Sequence, residues 1–198
     1  MNVLLVTAPT LQPITVQEAK EHLYIDIADH DVKVSNVVKE ATEHVQDITR
    51  RAIMTQTWDY WIDRFPSCNH ITLPFGNLQS VTSIIYKASD WASAADDVTM
   101  TATTDYLVET NGAGHGRIVL PYSGVWPTDV LYPSNPIKIR FICGWTTQAL
   151  VPFTIKAAIQ LVCADLFEMR GEPTIGATVV ENKAVDRLLA SQRLWGNF

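Results

Sequence analysis

Between Asp31 and Ala52 the apolar residues fall at spacings of three and four: Val34, Val37, Val38, Ala41, Val45, Ile48 and Ala52. An α-helix puts such a set on one stripe. Directly after Ile53 the period drops to two. Trp58, Tyr60 and Ile62 alternate with Thr57, Asp59 and Asp63, the mark of a half-buried strand with Trp61 on its opposite face. A chain that changes period within five residues has to bury both a helical stripe and one face of a sheet. The helix is expected over residues 31–51, about 30 Å long at ~1.5 Å per residue. Asp29 and Asp31 stand at its positive end, Arg50 and Arg51 at its negative end. Valine is a poor helix former, so packing against other apolar surface has to hold it.

The remaining segments extend both patterns. Thr15 with Glu18 forms a T-x-x-E capping box, opening a short helix to about Tyr24 with Ala19 and Leu23 on its core edge. "DIADHD" (26–31) breaks that helix. Strand candidates are "HITLP" (70–74), "SVTSIIY" (80–86), "DYLVET" (105–110), "GRIVLP" (116–121) and "IKIRFIC" (137–143), while "KASDWASAADD" (87–97) is a loop or hairpin tip. Helix returns after Gly144. Pro152 suits a first turn, Ile155, Ile159, Val162, Leu166 and Met169 draw a stripe, and Gly171 is a stop. "EPTIGATV" is a loop. Asn182 caps a last helix with Val185, Leu188 and Leu189 inside. The expected fold class is α+β. N- and C-terminal helices (1–54 and 146–198) form a small bundle, and an antiparallel β block (55–145) is inserted into it, because neither helical end buries its stripe alone.

Composition narrows the chemistry. The net charge is −6, the wrong sign for gripping nucleic acid, where Lys and Arg neutralise phosphates. Only 18% of residues are charged, against about 25% in typical domains, which fits surface hidden in an assembly. No apolar run of about 18 residues spans a membrane, and "MNVLLVTAPT" lacks the basic start of a signal peptide. Cys68, Cys143 and Cys163 form no C-x-x-C pair and are expected as reduced thiols. "GAGHGR" (112–117) has the glycines of a phosphate loop but a strand rather than a helix after it, so it is expected as a hairpin turn. No histidines fall at H-x-x-x-H spacing, "DIADHD" lacks the order of a calcium loop, and no G-x-S-x-G occurs. Asp59 and Asp63 lie about 13 Å apart on one strand, too far for a glycosidase pair. No catalytic residue, metal or cofactor is expected. The aromatic run "TQTWDYWIDRFP" (55–66) has a single Arg64 where a nucleic-acid stacking platform would interleave several bases. Trp58, Tyr60 and Ile62 are therefore expected as β-block core, with an exposed binding face as the other reading.

The succession of segments carries a resemblance. "PITVQEAKEHLYID", a long helix ending "RRAIMTQTWDYWIDRFP", then "LPFGNLQSVTSIIY", "DYLVETNGAGHGRIVLP" and "IKIRFICGW…VPFTIKAAIQLVCADLFEMRG" together resemble the head–tail connector (adaptor) proteins of tailed bacteriophages. Related proteins occur in phage-like gene transfer agents. The resemblance covers nearly the whole chain and rests on no catalytic motif. It implies a homo-oligomeric ring, commonly of twelve copies, in the virion neck beneath the portal, assembled in the host cytoplasm. Such a ring extends the channel through which double-stranded DNA passes without specific binding, and it receives stopper or tail proteins. It also implies that helices build the ring and that the C-terminal segment reaches the portal. "RLWGNF" (193–198) suits that role. A tail bearing Trp195 and a terminal Phe198 either folds back on its own core or inserts into a neighbour, and Arg193, Leu194 and Trp195 are anchor types, with Arg193 able to meet an acidic partner group. The alternative function is a ligand- or carbohydrate-binding β module of a tail accessory protein.

Overall fold

The computed structural model describes residues 2–168 and 183–195. Met169, Gly171, Asn182, the "EPTIGATV" loop and Phe198 lie outside these. Among the described residues, four helices and two antiparallel sheets make a mixed α+β fold. They fall into two compact units, one of residues 10–54 and 145–195, the other of residues 2–9 and 55–144.

The first unit is helical. Helix α1 (Val16–Leu23) opens on the capping box: Thr15 Oγ1 accepts from the Glu18 amide at 3.0 Å, and the Thr15 amide donates to Glu18 Oε2 at 2.6 Å. That backbone donor holds the Glu18 carboxyl below its usual range, against the opposing pull of burial. A depressed carboxyl contributes above its unfolded range, so this part of the cap is lost as pH falls below about 4.3. Thr15→Ala should cost the chain about 1 kcal/mol. An unchanged urea midpoint for that variant would show the box to be ornamental. Tyr24 ends α1 in the left-handed conformation, at φ 55.

Helix α2 (Asp31–Thr49) buries Val34, Val37, Val38, Ala41 and Val45, with Ile48 partly buried against the same core. It stops two residues short of the expected end because Arg50 turns left-handed, at φ 54. Nor does Asp31 cap it: the carboxylate reaches Lys20 Nζ at 2.7 Å, and the N-cap position, His30, makes no side-chain capping bond. Two threonines lie on the buried side, and each hydroxyl bonds the carbonyl four residues back, Thr42 to Val38 and Thr49 to Val45. Helix α3 (Phe153–Glu168) packs on α2 through Ile155, Ala158, Ile159, Val162 and Cys163. Leu166, expected on that stripe, is 41% exposed. Helix α4 (Lys183–Leu189) adds Val185 and Leu189 to the same core. The chain leaves this unit after Met54 and re-enters at Trp145, where a parallel bridge joins the two residues.

The second unit holds strands β1 (Asn2–Thr7), β2 (Gln56–Ile62), β3 (His70–Thr72), β4 (Leu78–Tyr86), β5 (Val98–Met100), β6 (Leu107–Glu109), β7 (Arg117–Val119) and β8 (Ile137–Cys143). The larger sheet runs β1-β2-β8-β4-β5, the smaller β3-β7-β6. Strand β8 is central, and "IKIRFIC" alternates fully, with Ile137, Ile139, Phe141 and Cys143 buried and the residues between them half-exposed. The register sets Ile62, Tyr60, Trp58 and Gln56 opposite those four on one side. Tyr86, Ile84, Val81 and Leu78 oppose them on the other, with two irregularities in β4. Strands β1 and β5 were not expected from the sequence. Strand β1 also carries residues 2–7 out of the helical part, where the expected boundaries put them, into the sheet. Gly116 has a packing reason. A Cβ there would stand 2.3 Å from the Leu78 side chain, so only glycine lets the chain entering β7 lie against the start of β4.

Candidate interaction site

The described part of the C-terminal tail is strapped to the end of α2. Leu189 O accepts from the Gln192 and Arg193 amides, closing α4. Leu194 then donates its amide to Thr49 O at 3.0 Å. The buried Arg51 donates Nε to Gln192 O, and burial lowers its pKa from the ordinary value. Thus the left-handed Arg50 has a consequence beyond ending α2: it turns the chain so that Thr49 O and the Arg51 side chain meet the tail. Arg193 is engaged within its own chain, its Nη2 lying 2.7 Å from Asp186 Oδ1, rather than left for a partner's acid. Leu194 is half-buried. Trp195 is 79% exposed, an indole presented at the end of an anchored strap. Arg193, Leu194 and Trp195 are brought together in this way, and Phe198 lies outside the described residues.

The β2 aromatics divide. Tyr60 is buried, and burial raises its hydroxyl pKa. Trp58 and Ile62 are half-buried on the same face, Trp58 resting on Phe75 with ring centroids 4.5 Å apart. The opposite face holds what sequence reasoning missed. Asp59 is buried and takes a bidentate contact from Arg140, both bonds at 2.7 Å. Those bonds raise the Arg140 pKa. The signal was available, since Asp59 and Arg140 both occupy polar positions of alternating strands, but their opposition depends on pairing β2 with β8.

Residues 110–116 link β6 to β7, with Asn111 at φ 50, Gly112 at φ 54 and the Gly114 amide donating to Asn111 O. This is a hairpin connection. Among the described residues no group of three or more His, Cys, Asp or Glu side chains is disposed to hold a metal. A cleft of about 560 Å³ is lined by Tyr86, Thr99, Asp105, Trp126 and Asp129. Its lining indole, Trp126, is 8% exposed and stacks on Phe65 at 5.4 Å and 9°. Its Nε1 donates to Cys68 O, and the Tyr86 hydroxyl donates to Asp129. Cys143 and Cys163 are buried free thiols, both pushed up by burial, Cys163 to about 12, whereas Cys68 is exposed. Ellman's reagent should therefore titrate one thiol rapidly in the native chain and three after denaturation. Two fast thiols would contradict this packing.

No family model and no curated protein matches the chain. Solved structures do. A chain from the virion of a native gene transfer agent (GTA) particle superposes with TM-score 0.77 at 17% identity, over 100% of this chain and 98% of that one. A chain from the neck of an empty GTA particle, computed with C6 symmetry, gives 0.77 at 18% identity. One from the neck of a native particle, computed with C12 symmetry, gives 0.75 at 17%, both with the same coverage. The fold is therefore shared over 100% of this chain and 98% of each of those three.

Proposed function

We propose that this protein is a structural component of the neck of a phage-like particle, a head–tail adaptor that forms a ring beneath the portal. The observation that carries the reading is the superposition, over 98% of its length, of a chain from a gene transfer agent neck. At 17–18% identity this supports the role through shared architecture alone. The C12 symmetry used for the neck of the native particle favours twelve copies. The acidic balance, −6 per chain, suits a lumen that double-stranded DNA has to cross without sticking. The tail, with Trp195 exposed on its strap, is the element that docks onto the portal, with Phe198 beyond it. Stopper or tail proteins attach on the side away from the portal. No catalysis is part of this role.

Imaging of particles in which this chain carries a bulky N-terminal tag tests the reading. Extra density should surround the head–tail axis at the neck. Density on peripheral tail appendages would overturn it in favour of an accessory binding module.

A further inference from the structure

Among the described residues, the charged side chains that are buried are Lys20, Arg51 and Asp59. Lys20 meets Asp31, and Asp59 meets Arg140. Arg51 aims Nε at a main-chain oxygen of the tail, Gln192 O. The backbone that carries Arg51 is fixed at the end of α2. Its amide donates to Gln46 O at 3.3 Å, the Ile53 amide donates to Gln46 Oε1 at 3.0 Å, and Ala52 and Ile53 are buried. A guanidinium on so firm a base is a fixed post for the segment it holds. That segment adds little to the core, because Val185 and Leu189 of α4 already lie in it and Leu194 is only half-buried. Taking a guanidinium out of water is costly. What it secures here is the path of residues 190–195, which ends on the exposed Trp195.

We propose that Arg51 is the positioning residue for tail docking: it keeps the strap closed, so that Trp195 stands in place before the partner arrives. The inference rests on the portal-docking reading above and names the group that organises that site. The other two ties are weaker. The Arg193–Asp186 pair has side chains 34% and 56% exposed, where an ion pair contributes little. The Leu194 amide on Thr49 O is a single neutral hydrogen bond. Without the Arg51 donor the closed strap becomes the minor form. Apparent affinity for a partner then falls with the fraction of chains that are ready to bind.

Trypsin reads the strap directly, because the bond after Arg193 contains the Leu194 amide that is tied to Thr49 O. Arg51→Met keeps the bulk and removes the donor. In that variant, release of the segment after Arg193 should be about tenfold faster or more, as loss of a hydrogen bond from a charged donor implies. The concentration needed to load the chain onto portal-bearing heads should rise about tenfold, with an unchanged melting temperature. Arg51→Lys keeps a charged donor and should restore part of both. If Arg51→Met lowers the melting temperature, Gln192→Gly with Asp186→Ala loosens the strap from outside the core with Arg51 in place, and it should show the same two effects. Unchanged release from Arg51→Met would show that Arg51 does not hold the strap. Faster release with wild-type loading would show that Trp195 needs no positioning, and faster release with tighter loading would make the strap a restraint; either overturns the proposal. A wild-type chain that never joins portal-bearing heads would overturn the portal-docking reading and this role with it, whatever the release rates.

Discussion

Removing residues 195–198 is expected to leave the melting temperature unchanged and to abolish attachment of the protein to portal-bearing heads. The strap explains the first half. Its described anchors, the Leu194 amide on Thr49 O, Arg51 on Gln192 O and Arg193 on Asp186, all lie before residue 195. The exposure of Trp195, 79%, explains the second, because burying that indole in a partner yields energy that the isolated chain never has. A Trp hot spot contributes at least about 2 kcal/mol per copy, close to thirtyfold in affinity at ~1.4 kcal/mol per decade. Repeated around a ring, the loss compounds through avidity. Scanning fluorimetry and a count of DNA-filled heads that carry the truncated chain measure the two halves. Normal tail attachment by the truncated chain would end the docking proposal.

Phe141→Ala is the substitution expected to cost most stability. Phe141 is 0% exposed on the central strand, paired with Trp58 on one side and Val81 on the other. Truncations of this kind cost about 3–5 kcal/mol. For a unit of about a hundred residues, at ~4–8 °C per kcal/mol, the melting point should fall by about 12 °C or more. Trp58→Ala, at a half-buried position, should lose only about 1.5–3 kcal/mol. The ranking is the test: a Trp58→Ala chain less stable than Phe141→Ala would move the centre of the sheet from β8 to β2.

Much of the fold was legible because periodicity is a local property. The stripe from Val34 to Ile48 is carried by one helix, and its spacing alone implies the buried face. The T-x-x-E box names both of its partners within four residues. In "IKIRFIC" the alternation is complete because β8 has a strand on each side and one buried face. The turn at 111–114 was readable from its glycines. Where the local signal was short, the reading failed. "NVLLVT" does not alternate, since β1 is an edge strand whose Leu4, Leu5 and Val6 stay exposed, and only its backbone pairing with β2 makes it a strand. Strand β5 is a three-residue edge strand in which only Met100 is buried, and its pairing with β4 is what makes it a strand.

The candidate site was legible in composition and not in path. A terminal segment with Arg193, Leu194, Trp195 and Phe198 reads as an anchor, but local sequence does not distinguish folding back from reaching out. The structure divides the tail between the two. Leu194 is tied by a backbone bond to Thr49, 145 residues earlier in the chain, while Trp195 stands free. The Asp59–Arg140 pair has the same character, a contact across 81 residues set by strand order. Sequence by itself determined which segments are helix and, apart from β1 and β5, which are strand, and which face of each is apolar, because side-chain spacing and backbone geometry act over a few residues. Tertiary structure alone decided the order β1-β2-β8-β4-β5, the partner of each buried charge and the route of the tail. Those depend on which distant surfaces exclude water together, and no single segment carries that information.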